Sequence, residues 1–368
     1  MAAVRFETSP GEFEKRRKRY REFMAREGLD GLLVTHLPDV RYLCGFSGSS
    51  GMALLLRGGG FFLTDFRYRE QSALEVVGLR PVIYETNAEE AAAGLLRRRG
   101  GLRLGFDPAA LSYAGVVSLR RRLKGVAGLV PLKGSLALLR ATKSPSELKR
   151  IAMGIGIAEK AFVKALEEVG GDGTEFAFAA AVDAAARNMG AEGPSFETIV
   201  AGGSRGALVH ASPSRRRLGG ATVIDWGVVF EGYCTDTTRT VAFGKVPPRL
   251  RKAHRAVLDA QERAMEVARP GAKAGDVDRA AREVIEKAGF GEAFGHGLGH
   301  GVGLEVHERP YVGRASNDIL EEGMVFTNEP GVYLHGTGGV RVEDMVLVTR
   351  DGAEFLTTLP RSLGPSDY

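Results

Sequence analysis

The chain has 368 residues, 44% hydrophobic and 26% charged, an ordinary globular composition too long for one small core, so about two domains of roughly 100–200 residues each are expected. Its net charge of +5 is a small excess of 50 basic over 45 acidic residues; the basic clusters at 15–21, 97–99, 120–122 and 215–217 read as solvated faces of helices or loops, which argues against a nucleic-acid partner. Two distant cysteines, Cys44 and Cys234, the lack of an apolar run long enough to span a membrane and the lack of a signal-like start argue against a disulfide scaffold or a membrane protein and point to a soluble, cytoplasmic one.

In chain order, an amphipathic pattern over 13–27 predicts a surface helix leading into GLLVTHLPDVRYLCGF, in which Arg41 and Tyr42 read as strand residues. The short apolar runs MALLL, FFLTDF and PVIY then alternate with helical patterns over 68–77 and 88–99, which is an α/β domain. It closes near Leu138–Thr142, so domains over 1–140 and 141–368 are expected. Ser144-Pro-Ser-Glu147 starts the second domain: a capping serine, a proline in the first turn and a glutamate three residues on.

From there a layout occurs twice. Helices over 148–168 and 176–189 flank a glycine turn, and helices over 250–268 and 279–288 repeat the plan about 100 residues later. Each pair leads to a hairpin. In VIDWGVVFEGYCTDTTRTVAF a turn at Glu231-Gly232 sets Asp225 opposite Thr238 and puts Asp236 on the same face. In VFTNEPGVYLHGTGGVRVEDMVLV a turn centred near Thr337 sets Glu329 opposite Met345, with Glu343 on the same face. Four carboxylates on one partly dry face repel one another and raise their own pKa values unless cations neutralise them. Two divalent ions balance four carboxylates, and a metal pair is an established hydrolytic device. Cys234 has the parity of Asp236, but the carboxylates suffice without it.

The stretch GHGLGHGVGLEVHE, 295–308, holds three of the seven histidines among five glycines. Its glycines let backbone approach a site closely, and its imidazoles can ligate or donate protons. On an unbroken strand His307 would point away from His300; a bulge would change that. His36, His254 and His335 read as surface or loop residues.

Asp225, Asp236, GHGLGHGVGLEVHE, NEPG and VRVEDM together resemble the M24 metallopeptidases of pita-bread fold, and among them the Xaa-Pro peptidases, prolidase and aminopeptidase P. The resemblance implies a creatinase-like α/β N-terminal domain and an α+β pita-bread C-terminal domain of pseudo-twofold duplicated helix pair and antiparallel hairpin. It implies metal ligands Asp225, Asp236, His300, Glu329 and Glu343, with Asp236 and Glu343 bridging two ions. It implies substrate-side roles for His210, His296 and His307, a proton shuttle at Glu329, and a second layer of support from Arg341. The guanidinium of Arg341, two residues before Glu343 on the same strand face, can hold a ligand carboxylate bidentately. At His210-Ala211 relatives often have His-Gly, which bears on the path of that loop.

The function implied is removal of an N-terminal residue preceding proline by a homodimer, with small peptides carrying proline at the second position as substrates. One imidazole and four carboxylates favour manganese, with cobalt, zinc or iron as alternatives. A metal-independent creatinase-like amidinohydrolase does not need five ligands, a non-catalytic pita-bread binding module typically loses them, and a methionine aminopeptidase lacks a large N-terminal α/β domain.

Overall fold

The computed structural model describes residues 8–97, 100–134 and 136–368. Arg98 and Arg99, the end of one expected helix and of one basic cluster, lie outside the described residues. The chain divides into two compact units between Arg140 and Ala141.

The first unit alternates α1 (Pro10–Arg26), β1 (Gly31–Val34), α2 (Leu37–Cys44), β2 (Met52–Leu56), β3 (Gly59–Thr64), α3 (Arg69–Glu75), β4 (Arg80–Ile83), α4 (Ala88–Leu96), β5 (Leu102–Phe106), α5 (Tyr113–Arg122) and β6 (Ala127–Pro131). The strands form one mixed sheet in the order β4-β3-β2-β1-β5-β6. Leu33, Leu54, Leu63 and Leu104 of four strands pack against Ala92, Ala93 and Leu96 of α4. Two expectations fail here. Arg41 and Tyr42 lie in helix α2, not a strand: Pro38 sits in its first turn and Asp39 follows, helix-start signals that outweigh the apolar run before them. The basic face of α1 is not wholly solvated, since Arg16 and Arg17 are buried. Arg16 donates to the Tyr42 carbonyl, and Arg17 to those of Leu43 and Val77, acceptors that a helix end and a loop leave without backbone partners.

The short α6 (Leu138–Ala141) ends the first unit and runs one residue past the division, and the second unit continues with α7 (Pro145–Val169) and α8 (Glu175–Asn188). The Ser144–Glu147 capping box is complete in both directions. Next come β7 (Gly193–Pro194), β8 (Ile199–Gly202), β9 (Gly220–Trp226), β10 (Val228–Phe230), β11 (Tyr233–Cys234) and β12 (Thr237–Phe243). The second half repeats the plan with α9 (Pro248–Val267) and α10 (Ala274–Lys287), followed by β13 (Gly299–Gly301), β14 (Glu308–Val312), β15 (Val325–Asn328), β16 (Gly331–Leu334), β17 (Gly338–Arg341), β18 (Asp344–Val348) and β19 (Ala353–Phe355). Helix α10 starts before the expected 279, with Asp276 in its first turn, where the helix dipole favours an acid. Each helix pair covers its own half: Trp226 stacks on Phe162 of α7 at 4.3 Å, while Phe326 and Val346 pack with Val257 of α9 and Ile285 of α10. His254, expected at the surface, is buried on α9.

Both hairpins form. In the first, Glu231 and Gly232 take positive φ, the signature of a tight two-residue turn, and Asp225 pairs with Thr238 as the sequence predicts. In the second, the register differs from expectation. Thr337 N–H bonds back to the Leu334 carbonyl, so the position that requires positive φ falls on Gly336, which becomes the centre of the turn. Thr327, not Glu329, therefore pairs with Met345. The pairs Asn328–Asp344 and Gly331–Arg341 bracket Glu329 and Glu343, which oppose one another. The slip is two residues, so neither carboxylate changes face. A bridge between Thr238 and Glu343 joins the two hairpins.

Candidate active site

Asp225, Asp236, His300, Glu329 and Glu343 all line one cavity of about 440 Å³, together with His210, His296, His307 and Arg341. Every candidate named from the sequence is thus brought to one place. Ligand-type atoms of Asp236, His300 and Glu343 lie within 4.8 Å of one another, and Glu329 Oε1 is 3.3 Å from His300 Nε2. Asp225 differs. Its Oδ2 accepts from Arg341 Nη2, while its Oδ1 is buried with no hydrogen-bond partner. Arg341 does not grip a ligand carboxylate with two parallel bonds, as expected. It spreads its donors over Asp225, the Thr238 hydroxyl, the Tyr333 hydroxyl and the Val209 carbonyl.

The glycine-rich stretch is explained by steric room. A Cβ on Gly299 would stand 1.8 Å from the Thr327 carbonyl oxygen, and one on Gly301 2.1 Å from that of Arg309, so no other residue lets β13 lie this close to its neighbours. The strand ends at Gly301 with a register shift after His300, and the period-two rule lapses beyond it. His307 consequently returns to the same side, its ring centroid 4.1 Å from that of His300. His210 is exposed on the cavity wall, and Ala211 is buried against Ile199 and Ala201. Cys234 packs among Ile151, Val302 and Met345, and burial pushes its thiol up to about 12.

Three residues were missed from the sequence. Tyr333 joins His296 Nε2, at 2.9 Å, to Arg341. Thr238 donates to Glu343 Oε2 at 2.6 Å, and Thr327 donates to Glu329 and accepts from the His300 backbone. Strand parity could have found Thr238 and Thr327, each two residues from a candidate ligand; nothing in the sequence marked Tyr333.

The electrostatics are those of a site built for cations. Burial, then the Glu343 and Asp225 carboxylates, push Asp236 well above the usual range; burial, then Glu329 and Asp225, do the same to Glu343. Burial lifts Glu329 to about 7 against the pull of Arg341. His300 and His296 are driven by burial down to about 4, so both are neutral at pH 7, the state in which imidazole ligates or accepts. Crowded carboxylates, a neutral imidazole and an orphaned buried Asp225 oxygen fit two divalent ions.

The description metallopeptidase family M24 matches residues 150–350, more than half of the chain, and the creatinase/prolidase N-terminal domain matches residues 16–142. The chain belongs to metallopeptidase family M24. Like its M24 relatives it is a hydrolytic enzyme with a creatinase-like N-terminal domain and a pita-bread C-terminal domain. It is 35% identical to the Xaa-Pro dipeptidase of Pyrococcus horikoshii over 94% of this chain and 97% of that one. The solved Xaa-Pro dipeptidase from Bacillus anthracis superposes with a TM-score of 0.90 at 34% identity, covering 95% and 99% of the two chains. The X-Pro aminopeptidase from Thermotoga maritima gives 0.83 at 33%, covering 92% and 99%. No helix among the described residues is long and apolar enough to cross a membrane.

Proposed function

We propose that this M24 enzyme is a dinuclear metal-dependent exopeptidase that hydrolyses the bond between an N-terminal residue and a following proline. The observation that carries the reading is the convergence of the five ligand-type side chains and three histidines on a single cavity. Asp225, Asp236, His300, Glu329 and Glu343 would hold two divalent ions, with Asp236 and Glu343 between them. Bound there, such ions supply a water of lowered pKa and polarise a carbonyl. We assign manganese, the harder choice for four carboxylates, over cobalt, zinc or iron.

The chain's own groups have the remaining work. Glu329, braced by the Thr327 hydroxyl, carries a proton from the attacking side to the leaving proline nitrogen. His307, which burial holds below its ordinary pKa, offers a neutral N–H to the developing oxyanion, with His210 lining the same cavity. Arg341 holds Asp225 and Tyr333 holds His296, so that each keeps one orientation at the cavity wall. Two free, buried cysteines suit a reducing cytoplasm. A homodimer rests on the family resemblance, and light scattering at working concentration tests it.

A second cavity of about 590 Å³ shares His296 and Gly297 with the first and is lined by Arg314, which is exposed and makes no ion pair among the described residues. A cation there suits the free carboxylate of a dipeptide. The test is hydrolysis of an Xaa-Pro dipeptide beside an Xaa-Pro-Xaa tripeptide, after manganese loading and with a chelated control. Faster turnover of the dipeptide names a dipeptidase, and faster turnover of the tripeptide an aminopeptidase. Turnover of neither by protein carrying two metal equivalents overturns the proline specificity while leaving the metal site standing.

A further inference from the structure

Lys143 and Glu308 form an ion pair that the chemistry above does not use. Lys143 Nζ donates to Glu308 Oε1 at 2.6 Å, and each side chain is 1% exposed. Nζ also donates to the Ala141 carbonyl, and the Lys143 backbone N–H to that of Gly323, so the lysine is held at both ends. Removing two charges from water is expensive, and an apolar pair of similar volume would stabilise the fold as well or better. The geometry points elsewhere. Glu308 immediately follows His307, and the loop carrying His307 leaves the sheet after Gly301 and re-enters it at Glu308. At its start, Val302 N–H bonds to the Val325 carbonyl and Cys234 N–H to that of Gly303. A Cβ on Gly303 would stand 2.3 Å from Glu308 Oε1, so the loop is folded directly over the ion pair. His307 itself is solvent-accessible, and an exposed side chain on a short loop keeps one orientation when its flanks are fixed.

We propose that Lys143–Glu308 is a positioning pair that sets His307 against His300 and the cavity, a role resting on the function assigned to His307 above. Neither member of the pair lines the cavity of the candidate site. Its effect is orientation, and displacing a catalytic group by about 1 Å costs on the order of 10²-fold in rate.

The experiment is a double-mutant cycle on the manganese-loaded enzyme between Glu308→Gln, which keeps size and an acceptor oxygen for Lys143, and His307→Ala. Expected is a fall in kcat of roughly 10- to 100-fold for Glu308→Gln, with KM and the two manganese equivalents unchanged. In the His307→Ala background the same change should cost less than about twofold, because partners in one device are not additive. Full, independent loss in both backgrounds, or unchanged kcat in Glu308→Gln, overturns the positioning pair. Full activity of His307→Ala instead overturns the role of His307, and the pair's purpose with it. The paired replacement Lys143→Met with Glu308→Leu removes both charges of the pair together, and it must reproduce the kcat loss.

Discussion

At the scale of single residues, the site distributes its charges unequally. Glu343 sits where both hairpins meet, accepting from the Thr238 hydroxyl and facing Glu329 across the sheet. Glu343→Ala should abolish hydrolysis and lower the bound metal from two equivalents to one; metal analysis showing two, or retained turnover, contradicts its bridging place. Arg341 is already committed to Asp225 and Tyr333, so it is unsuited to binding substrate. Arg314 is uncommitted among the described residues, and its replacement tests which of the two substrate classes the enzyme prefers. Losing one exposed, charge-assisted contact is worth about a factor of ten, so Arg314→Ala should raise KM for an Xaa-Pro dipeptide by about that factor and leave a tripeptide unchanged. Equal effects on both would remove Arg314 from carboxylate recognition. These residues were unequally visible beforehand. The five candidate ligands stand in recognisable strings, and strand parity alone put Asp225 with Asp236 and Glu329 with Glu343. Tyr333 was hidden because its role is to join two side chains, His296 and Arg341, that sequence distance does not relate.

At the scale of elements, local signals were reliable where backbone chemistry is local. Ser144, Pro145 and Glu147 start α7 as their types require, and Glu231-Gly232 fixes the first hairpin. They misled where two signals competed. The apolar run before Arg41 suggested a strand, but Pro38 and Asp39 begin a helix. The second hairpin has three glycines in Gly336–Gly339, and its centre is chosen by which of them takes positive φ in the turn. Strand β13 is the element under tightest constraint. Gly299→Ala would drive its methyl into the Thr327 carbonyl, an overpacking that costs about 1–3 kcal/mol. Because Thr327 also contacts Glu329 and the His300 backbone, the variant should lose both melting temperature and manganese affinity. A stable variant with unaltered affinity would mean that β13 can give way without moving the ligands.

At the scale of the whole molecule, the crowding of carboxylates makes stability depend on pH and on metal. Glu329 is lifted from 4.5 to about 7, and Asp236 and Glu343 are raised well above their ordinary values by burial and by neighbouring carboxylates. A carboxyl whose pKa is raised by folding binds its proton more tightly in the folded state. Its contribution is present below the unfolded value and is lost as pH rises through the folded one. Chelated protein should therefore lose melting temperature between about pH 4.5 and 7, and manganese should restore it most at the upper end, where the ions replace protons. Calorimetry with and without chelator checks this; a chelated enzyme equally stable across that window would mean the carboxylates do not repel one another as their burial requires.

The sequence by itself determined the helix starts, the first hairpin, the face on which each carboxylate lies and the chemical kind of the site. Each depends on residue type and on spacing over a few positions, which backbone geometry turns directly into direction. Only the tertiary structure decided that His307 turns back beside His300, that Arg341 holds Asp225 rather than gripping it with two parallel bonds, that Tyr333 links His296 to Arg341, and that Lys143 lies beneath Glu308 from 165 positions away in the chain. Those contacts arise from packing separate segments at fixed distances, where the room beside a glycine and the desolvation of a charge choose among arrangements the chain leaves open.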